Sequence, residues 1–237
     1  MRKDKQTFFR NNILLLISLS MLIINVFFIF GLASFDRIVY MIFFYHVSSA
    51  WLSYFSFGIS LICHIQYLRS RKINWNRLGK NSIIVGVCFT AFTLITGSIW
   101  YNAASTDYNN VFWQWSDARQ TTTLVLFLSY LSYLIFRSSI EDKEKKAKLS
   151  SALGIVLFPT VPLSYFSALI FTSLHPLINP ITGESGHIYW DLIKLLILFF
   201  NLISMTILFV YVVQELTALD EAKDELEKII QKKLIEE

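Results

Sequence analysis

Two histidines, His46 and His175, stand on either side of the most unusual stretch of this chain. That stretch is Asn109-Asn110-Val111-Phe112-Trp113-Gln114-Trp115-Ser116-Asp117-Ala118-Arg119-Gln120-Thr121, an aromatic and polar interval set between long apolar runs. Imidazole nitrogens ligate metals, flat indole faces stack on flat ligands, and a guanidinium can grip a carboxylate through two parallel hydrogen bonds. Two imidazoles converging on an aromatic platform are what axial ligation of a haem iron needs. A lone histidine at a helix end is equally an interfacial hydrogen-bonding group, so at this point both readings stand. Other chemistries find no support. There is no Ser/His/Asp or paired-carboxylate arrangement and no phosphate-binding loop among the 8 glycines. Cys63 and Cys88 have neither Cys-x-x-Cys nor Cys-x-x-Cys-His spacing, which excludes covalent c-type haem and dithiol exchange and leaves them as packing residues.

The elements that must position these groups are membrane spans. With 54% hydrophobic, 16% aromatic and only 16% charged residues, the chain is too apolar for a soluble domain. A bilayer core of about 30 Å takes roughly 20 helical residues. Six apolar runs are long enough: residues 13–32, 46–68, 82–100, 121–136, 149–171 and 188–213. The first exceeds a signal-peptide core in length and reads as a retained anchor. The fold class expected is an all-α membrane protein of six transmembrane helices. Residues 1–213 would be one membrane domain, and residues 214–237 a cytoplasmic helical tail.

Basic residues set the orientation. Arg2, Lys3, Lys5 and Arg10 precede the first run, and Arg69, Arg71, Lys72, Arg77 and Lys80 follow the second. Arg137, Lys143, Lys145, Lys146 and Lys148 follow the fourth, and Lys223, Lys228, Lys232 and Lys233 lie in the tail, leaving only Arg37, Arg119 and Lys194 of the 21. Both termini are therefore expected in the cytoplasm, and the net charge of +4 needs no nucleic-acid partner. Residues 33–45, 101–120 and 172–187 become outer loops, so His46, His175 and the tryptophan interval share one face. His64 lies 18 residues along the same run as His46, about 27 Å away near the other face. His187, just before the sixth run, is a spare candidate.

Trp100, Trp113, Trp115 and Trp190 could be belt residues alone, since indoles favour membrane interfaces. Asp117 is placed to cap the fourth helix, and Gln120 three residues later resembles a capping box. Arg119 is harder to account for as a scaffold residue. A cation in a first helical turn opposes the macrodipole, so Arg119 should have an anionic partner, either Asp117 or a ligand carboxylate such as a haem propionate. In the tail, Leu219, Ala222, Leu226 and Ile229 recur at helical spacing, which predicts an amphipathic helix over 215–234, resting on membrane lipid or docking a partner subunit.

These residues carry a resemblance. His46-Val47-Ser48-Ser49-Ala50-Trp51-Leu52-Ser53 resembles the His-Val-x-x-Ala-Trp-x-Ser of the CcmC family of cytochrome c biogenesis proteins. Thr96-Gly97-Ser98-Ile99-Trp100 is similar to the end of that family's third span, and Trp113-Gln114-Trp115-Ser116-Asp117-Ala118-Arg119-Gln120-Thr121 to its tryptophan-rich run ending Asp-Ala-Arg-x-Thr. Ser173-Leu174-His175 falls where its second outer histidine stands. The chain departs from the pattern at Tyr101, at Asn109-Asn110-Val111-Phe112 and at Ser116. The resemblance implies a non-enzymatic protein that binds haem b at the periplasmic face of the inner membrane. His46 and His175 would be the axial ligands, with Trp51, Trp100, Trp113, Trp115, Asp117 and Arg119 cradling the macrocycle. It implies delivery to a haem chaperone of the CcmE type, beside an ABC transporter of CcmA and CcmB and a small CcmD subunit. A CcsA-type haem lyase component, an electron-transferring membrane cytochrome and a structural subunit are the alternatives.

Overall fold

The computed structural model describes residues 2–33, 35, 38–105, 109–171, 173, 184–185, 188–189 and 191–236, and their side chains except at 2–11, 104–105, 184–185 and 188–189. Among the described residues seven α-helices make up the bundle: α1 (Arg2–Leu32), α2 (Ile42–Ser70), α3 (Ile73–Trp100), α4 (Ala118–Ser138), α5 (Lys143–Leu157), α6 (Thr160–Ile170) and α7 (Leu192–Glu236). Six segments are long and apolar enough to cross a membrane, α5 and α6 together forming one of them. Beside these stand a 3-10 turn at Ile38–Met41, a π turn at Tyr101–Ser105, and a two-residue antiparallel ladder of β1 (Glu184–Ser185) on β2 (Ile188–Tyr189).

Two of the differences from the sequence expectation have a local cause. The fifth span is not one helix: it breaks at Phe158-Pro159, because proline lacks the N–H that would continue the ladder and its ring clashes with the preceding turn. The backbone N–H of Phe158 reaches Ile155 three residues back instead of four, at 3.2 Å. The sixth span starts at Leu192 and not at 188, since Ile188–Tyr189 is drawn into the ladder and Asp191 caps the helix. Asp191 accepts from the Lys194 backbone N–H at 2.8 Å, a bond that also holds its carboxyl below the ordinary carboxylate range.

Hydrogen bonds and close approach hold the spans together, as expected where lipid removes the hydrophobic drive between helices. α2 and α3, joined through Arg71 in a left-handed conformation (φ 57°), form the central pair. Ser49 meets Thr93 across it at 2.7 Å, and Gly86 lets α3 close onto Phe57, whose ring lies 2.7 Å from where a Cβ would stand. Phe57 in turn stacks on Tyr130 of α4 at 3.7 Å. α6 joins through Ser164, 3.1 Å from Thr123 and 3.2 Å from Tyr54. The chain's first and last helices pair through Ile29 and Ile197, clustered with Phe43 and Phe44. Asn201 ties α7 to α2, its amide donating to Phe44 O at 2.8 Å and Ser48 Oγ at 3.1 Å.

A 45-residue helix is about 68 Å long, so α7 outreaches any bilayer core. Its distal half returns to the bundle through charges: Asp220 to Lys80 at 2.6 Å, Asp224 to Arg77, and Glu227 to Lys143 at 2.5 Å. The apolar positions Leu219, Leu226 and Ile229 face outward and are exposed.

Candidate functional site

His46 sits one turn inside α2, because the helix begins at Ile42 on top of the 3-10 turn. Its ring crosses to α3, with Nδ1 3.0 Å from Thr96 Oγ1. The Thr96 hydroxyl also lies 2.8 Å from Phe92 O and 3.2 Å from Thr93 O, so with its proton on a carbonyl it can accept from an Nδ1–H of His46. In that tautomer Nε2 keeps the lone pair, the state a ligating histidine needs. Gly97 makes room for this arrangement, since a Cβ there would stand 3.0 Å from His46 Cε1.

The tryptophan interval is shaped by bonds to its own flanks. Past α3 the π turn reorients the chain, and Tyr101 donates its hydroxyl to Gln114 Oε1. Turned with its oxygen toward the loop, the Asn102 amide accepts from the backbone N–H groups of Asn110 and Val111, both at 3.0 Å. Asp117 caps α4 as expected, accepting from the N–H groups of Arg119 at 3.0 Å and Gln120 at 3.1 Å. Its two oxygens also accept from the hydroxyl of Ser173, each at 3.0 Å. Gln120 reaches back beyond the capping-box position and takes the N–H of Gln114 at 2.8 Å. Asp117→Ala should therefore lower stability by about 1 kcal/mol, read as a lower thermal midpoint in detergent; an unchanged midpoint would show that the cap does not hold the loop.

Arg119 does not pair with Asp117. Its Nη1 donates to the backbone carbonyls of Ser164 at 2.9 Å and Tyr165 at 2.5 Å, and the guanidinium lies 5.8 Å from the Tyr165 ring. Among the described residues no carboxylate reaches ion-pair distance of it. The Asp117 carboxylate is occupied with the helix terminus, so the arginine is held by α6 with donors to spare.

His46, Trp51, Trp100, Trp113, Asp117 and Arg119 all line one cavity of about 610 Å³, with Tyr165 and Phe199 on its walls, within the range of small-molecule sites. Trp51 is half exposed at the rim and meets Tyr165 edge-on at 5.9 Å. The Trp113 indole N–H is buried and has no acceptor among the described residues. Trp115, the other tryptophan of the interval, is 73% exposed and leans on Trp113 at 5.6 Å without lining the cavity. His175, His187 and Trp190 lie outside the described residues. His64 belongs to the opposite end of the bundle, between Tyr133 at 3.1 Å and Ser151 at 3.2 Å. Thr96, Gly97 and the Ser164 and Tyr165 carbonyls were not singled out as working parts of the site. Small polar residues inside apolar runs carry no periodic signal, and backbone acceptors carry none at all.

The family model of haem exporter protein C matches residues 6–228. The chain belongs to the haem exporter protein C family. Every cavity residue named above falls inside the matched range. The chain is 33% identical over 134 residues to haem exporter protein C of Bradyrhizobium diazoefficiens, a match covering 56% of this chain and 49% of the relative. It is 30% identical over 171 residues to a ccmC-like mitochondrial protein of cytochrome c biosynthesis from Marchantia polymorpha, covering 72% of this chain and 70% of that one. A similarly named protein of Arabidopsis thaliana is 32% identical over 177 residues, covering 74% and 63%. The match thus spans about half the length of the Bradyrhizobium member and more of the plant ones.

Proposed function

We propose that this member of the haem exporter protein C family binds haem b in the tryptophan-walled cavity and hands it on for cytochrome c maturation. The observation that carries the reading is one imidazole and one guanidinium facing a single aromatic cavity. His46, with its Nε2 lone pair set by Thr96, is an axial ligand. Arg119, held by carbonyls and free of carboxylates among the described residues, grips a propionate. The buried Trp113 N–H offers a second donor for it. Indole faces stack on the macrocycle, at about 0.5–1.5 kcal/mol per aromatic pair beyond burial. His175 is the second axial ligand in this proposal. Its neighbour Ser173 is tied to Asp117 beside the cavity, which supports it.

Within this reading the cavity faces the periplasm, both termini lie in the cytoplasm of a bacterial inner membrane, and the receiver is a haem chaperone of the CcmE type. CcmA, CcmB and CcmD are the associated subunits, and no enzymatic step is assigned. The distribution of Lys and Arg supports the orientation, and the names of the relatives support the pathway. The test is a visible spectrum and pyridine haemochromogen assay on protein purified after co-expression with those partners. A Soret band with a b-type haemochromogen is expected, and Arg119→Gln should lower haem occupancy about tenfold, one charge-assisted bond's worth. Haem-free wild-type protein under those conditions would overturn the reading.

A further inference from the structure

The end of the bundle remote from His46 holds a second cleft, of about 470 Å³. Its walls are the end of α2, the starts of α3 and α5, the end of α4 and the distal half of α7. The α7 carboxylates neutralise one side through Lys80, Arg77 and Lys143. Arg71, Arg137, Lys146 and Lys223 line the same cleft, and among the described residues none of them has a carboxylate at ion-pair distance.

Arg137 is the unusual member, because it is fixed without being neutralised. Its Nη1 donates to Ser150 Oγ at 2.5 Å and its Nη2 to Asn76 Oδ1 at 2.8 Å, both neutral acceptors. Asn76, fully buried, is oriented by donating to Ala147 O at 3.1 Å and Ser151 Oγ at 2.9 Å. Ser151 leads on to His64 and Tyr133, so a polar chain through α2, α3, α4 and α5 holds one guanidinium at the cleft and contains no acid. Holding a partly buried cation in place without a counter-charge is unfavourable unless something anionic completes the site. Two of the five guanidinium N–H groups are committed to Ser150 and Asn76. The others, with three more cations around one cavity, suit an anion of several oxygens and more than one charge. Basic pockets between membrane helices recognise phosphate head groups for this reason.

We propose that this cleft binds a phosphate group, with Arg137 at its floor and Lys146 at its wall. At the end of a membrane span, that group can belong to an anionic phospholipid or to a free phosphate. The test is a thermal-shift titration of the full-length protein in detergent, at constant ionic strength. Its arms are inorganic phosphate, short-chain phosphatidylglycerol and, as the zwitterionic control, short-chain phosphatidylcholine. A shift with phosphatidylglycerol alone assigns a lipid head group, and one with inorganic phosphate alone assigns a soluble ligand. Shifts with both assign the phosphate itself as the recognised group. In each case Lys146→Gln should weaken the apparent affinity about tenfold, as loss of one charge-assisted bond does, and Arg137→Gln should weaken it further. Lys146 lies outside the polar chain, so its variant carries the test even if Arg137→Gln does not fold. No shift with either phosphate ligand, an equal shift with phosphatidylcholine, or wild-type affinity in Lys146→Gln would overturn the proposal.

Discussion

His46→Ala protein should purify with no Soret band, at a yield close to wild type. The imidazole stands at a cavity wall and is steered there by Thr96 and Gly97 from the neighbouring helix, apart from the packed centre around Phe57 and Tyr130. If His46 ligates iron as proposed, its removal deletes that ligand while the aromatic walls and Arg119 remain. Stacking and one ion pair then give weak, exchangeable haem binding at best. A second readout separates loss of ligation from loss of fold: imidazole in the buffer should enter the space left by the side chain and restore part of the absorption. Thr96→Val should show a milder version, with haem bound but the Soret position shifted, because the second hydrogen bond of a ligating histidine sets its basicity. A Soret band of wild-type height and position in His46→Ala would remove His46 from the iron.

The largest effect on stability is expected at the other end, from a single methyl group. A Cβ at Gly154 would stand 2.4 Å from His64 Cδ2 and 2.8 Å from its Nε2, and one at Gly79 would meet the same ring at 2.7 Å. His64 is fully buried between these two glycines, so it cannot yield without breaking its bonds to Tyr133 and Ser151. Overpacking costs about 1–3 kcal/mol, and each buried polar group left without a partner adds about 1–3 more. Gly154→Ala should therefore lower the thermal midpoint sharply, while Gly31→Ala, where nothing lies within 4 Å of the added atom, should not lower it. The double variant Gly154→Ala with His64→Ala should recover much of the loss, because the methyl group then has space. If Gly154→Ala melts with the wild type, the glycine is not what seats His64.

How much of this was legible in the amino-acid string depends on the kind of residue. The six spans followed from length and hydropathy, and Asp117 as a helix cap followed from its place before Ala118. His46 and the tryptophans of the cavity were marked by being polar or amphipathic at the ends of apolar runs. Arg119 was legible as an anomaly, but its partners were not, because they are main-chain carbonyls of a helix 45 residues away. The fifth run was read as one span from its length alone, and the helix breaks at Phe158-Pro159 within it. The start of α7 was misplaced by four residues because Ile188 and Tyr189 are as apolar as the span they precede, and only Asp191 marks the boundary. Trp113 and Trp115 are alike in sequence; the bonds of Tyr101 and Gln120 to Gln114 turn one inward and leave the other exposed.

The pairing of α1 with α7 also has a consequence for how the protein is made. α1 precedes α7 in the chain by some 160 residues, yet Ile29 of α1 shares its cluster with Ile197 of α7 as well as with Phe43 and Phe44 of α2. The α2–α3 hairpin, joined by two residues, can close as soon as it is inserted. Phe43 and Phe44 of α2 can reach α1 early, but the side of α1 that meets α7 stays open to lipid until α7 has been inserted. Cysteines placed at 29 and 197 should therefore crosslink late, after the α2–α3 pair has formed, and nascent chains stalled before α7 should present position 29 to a lipid-soluble label.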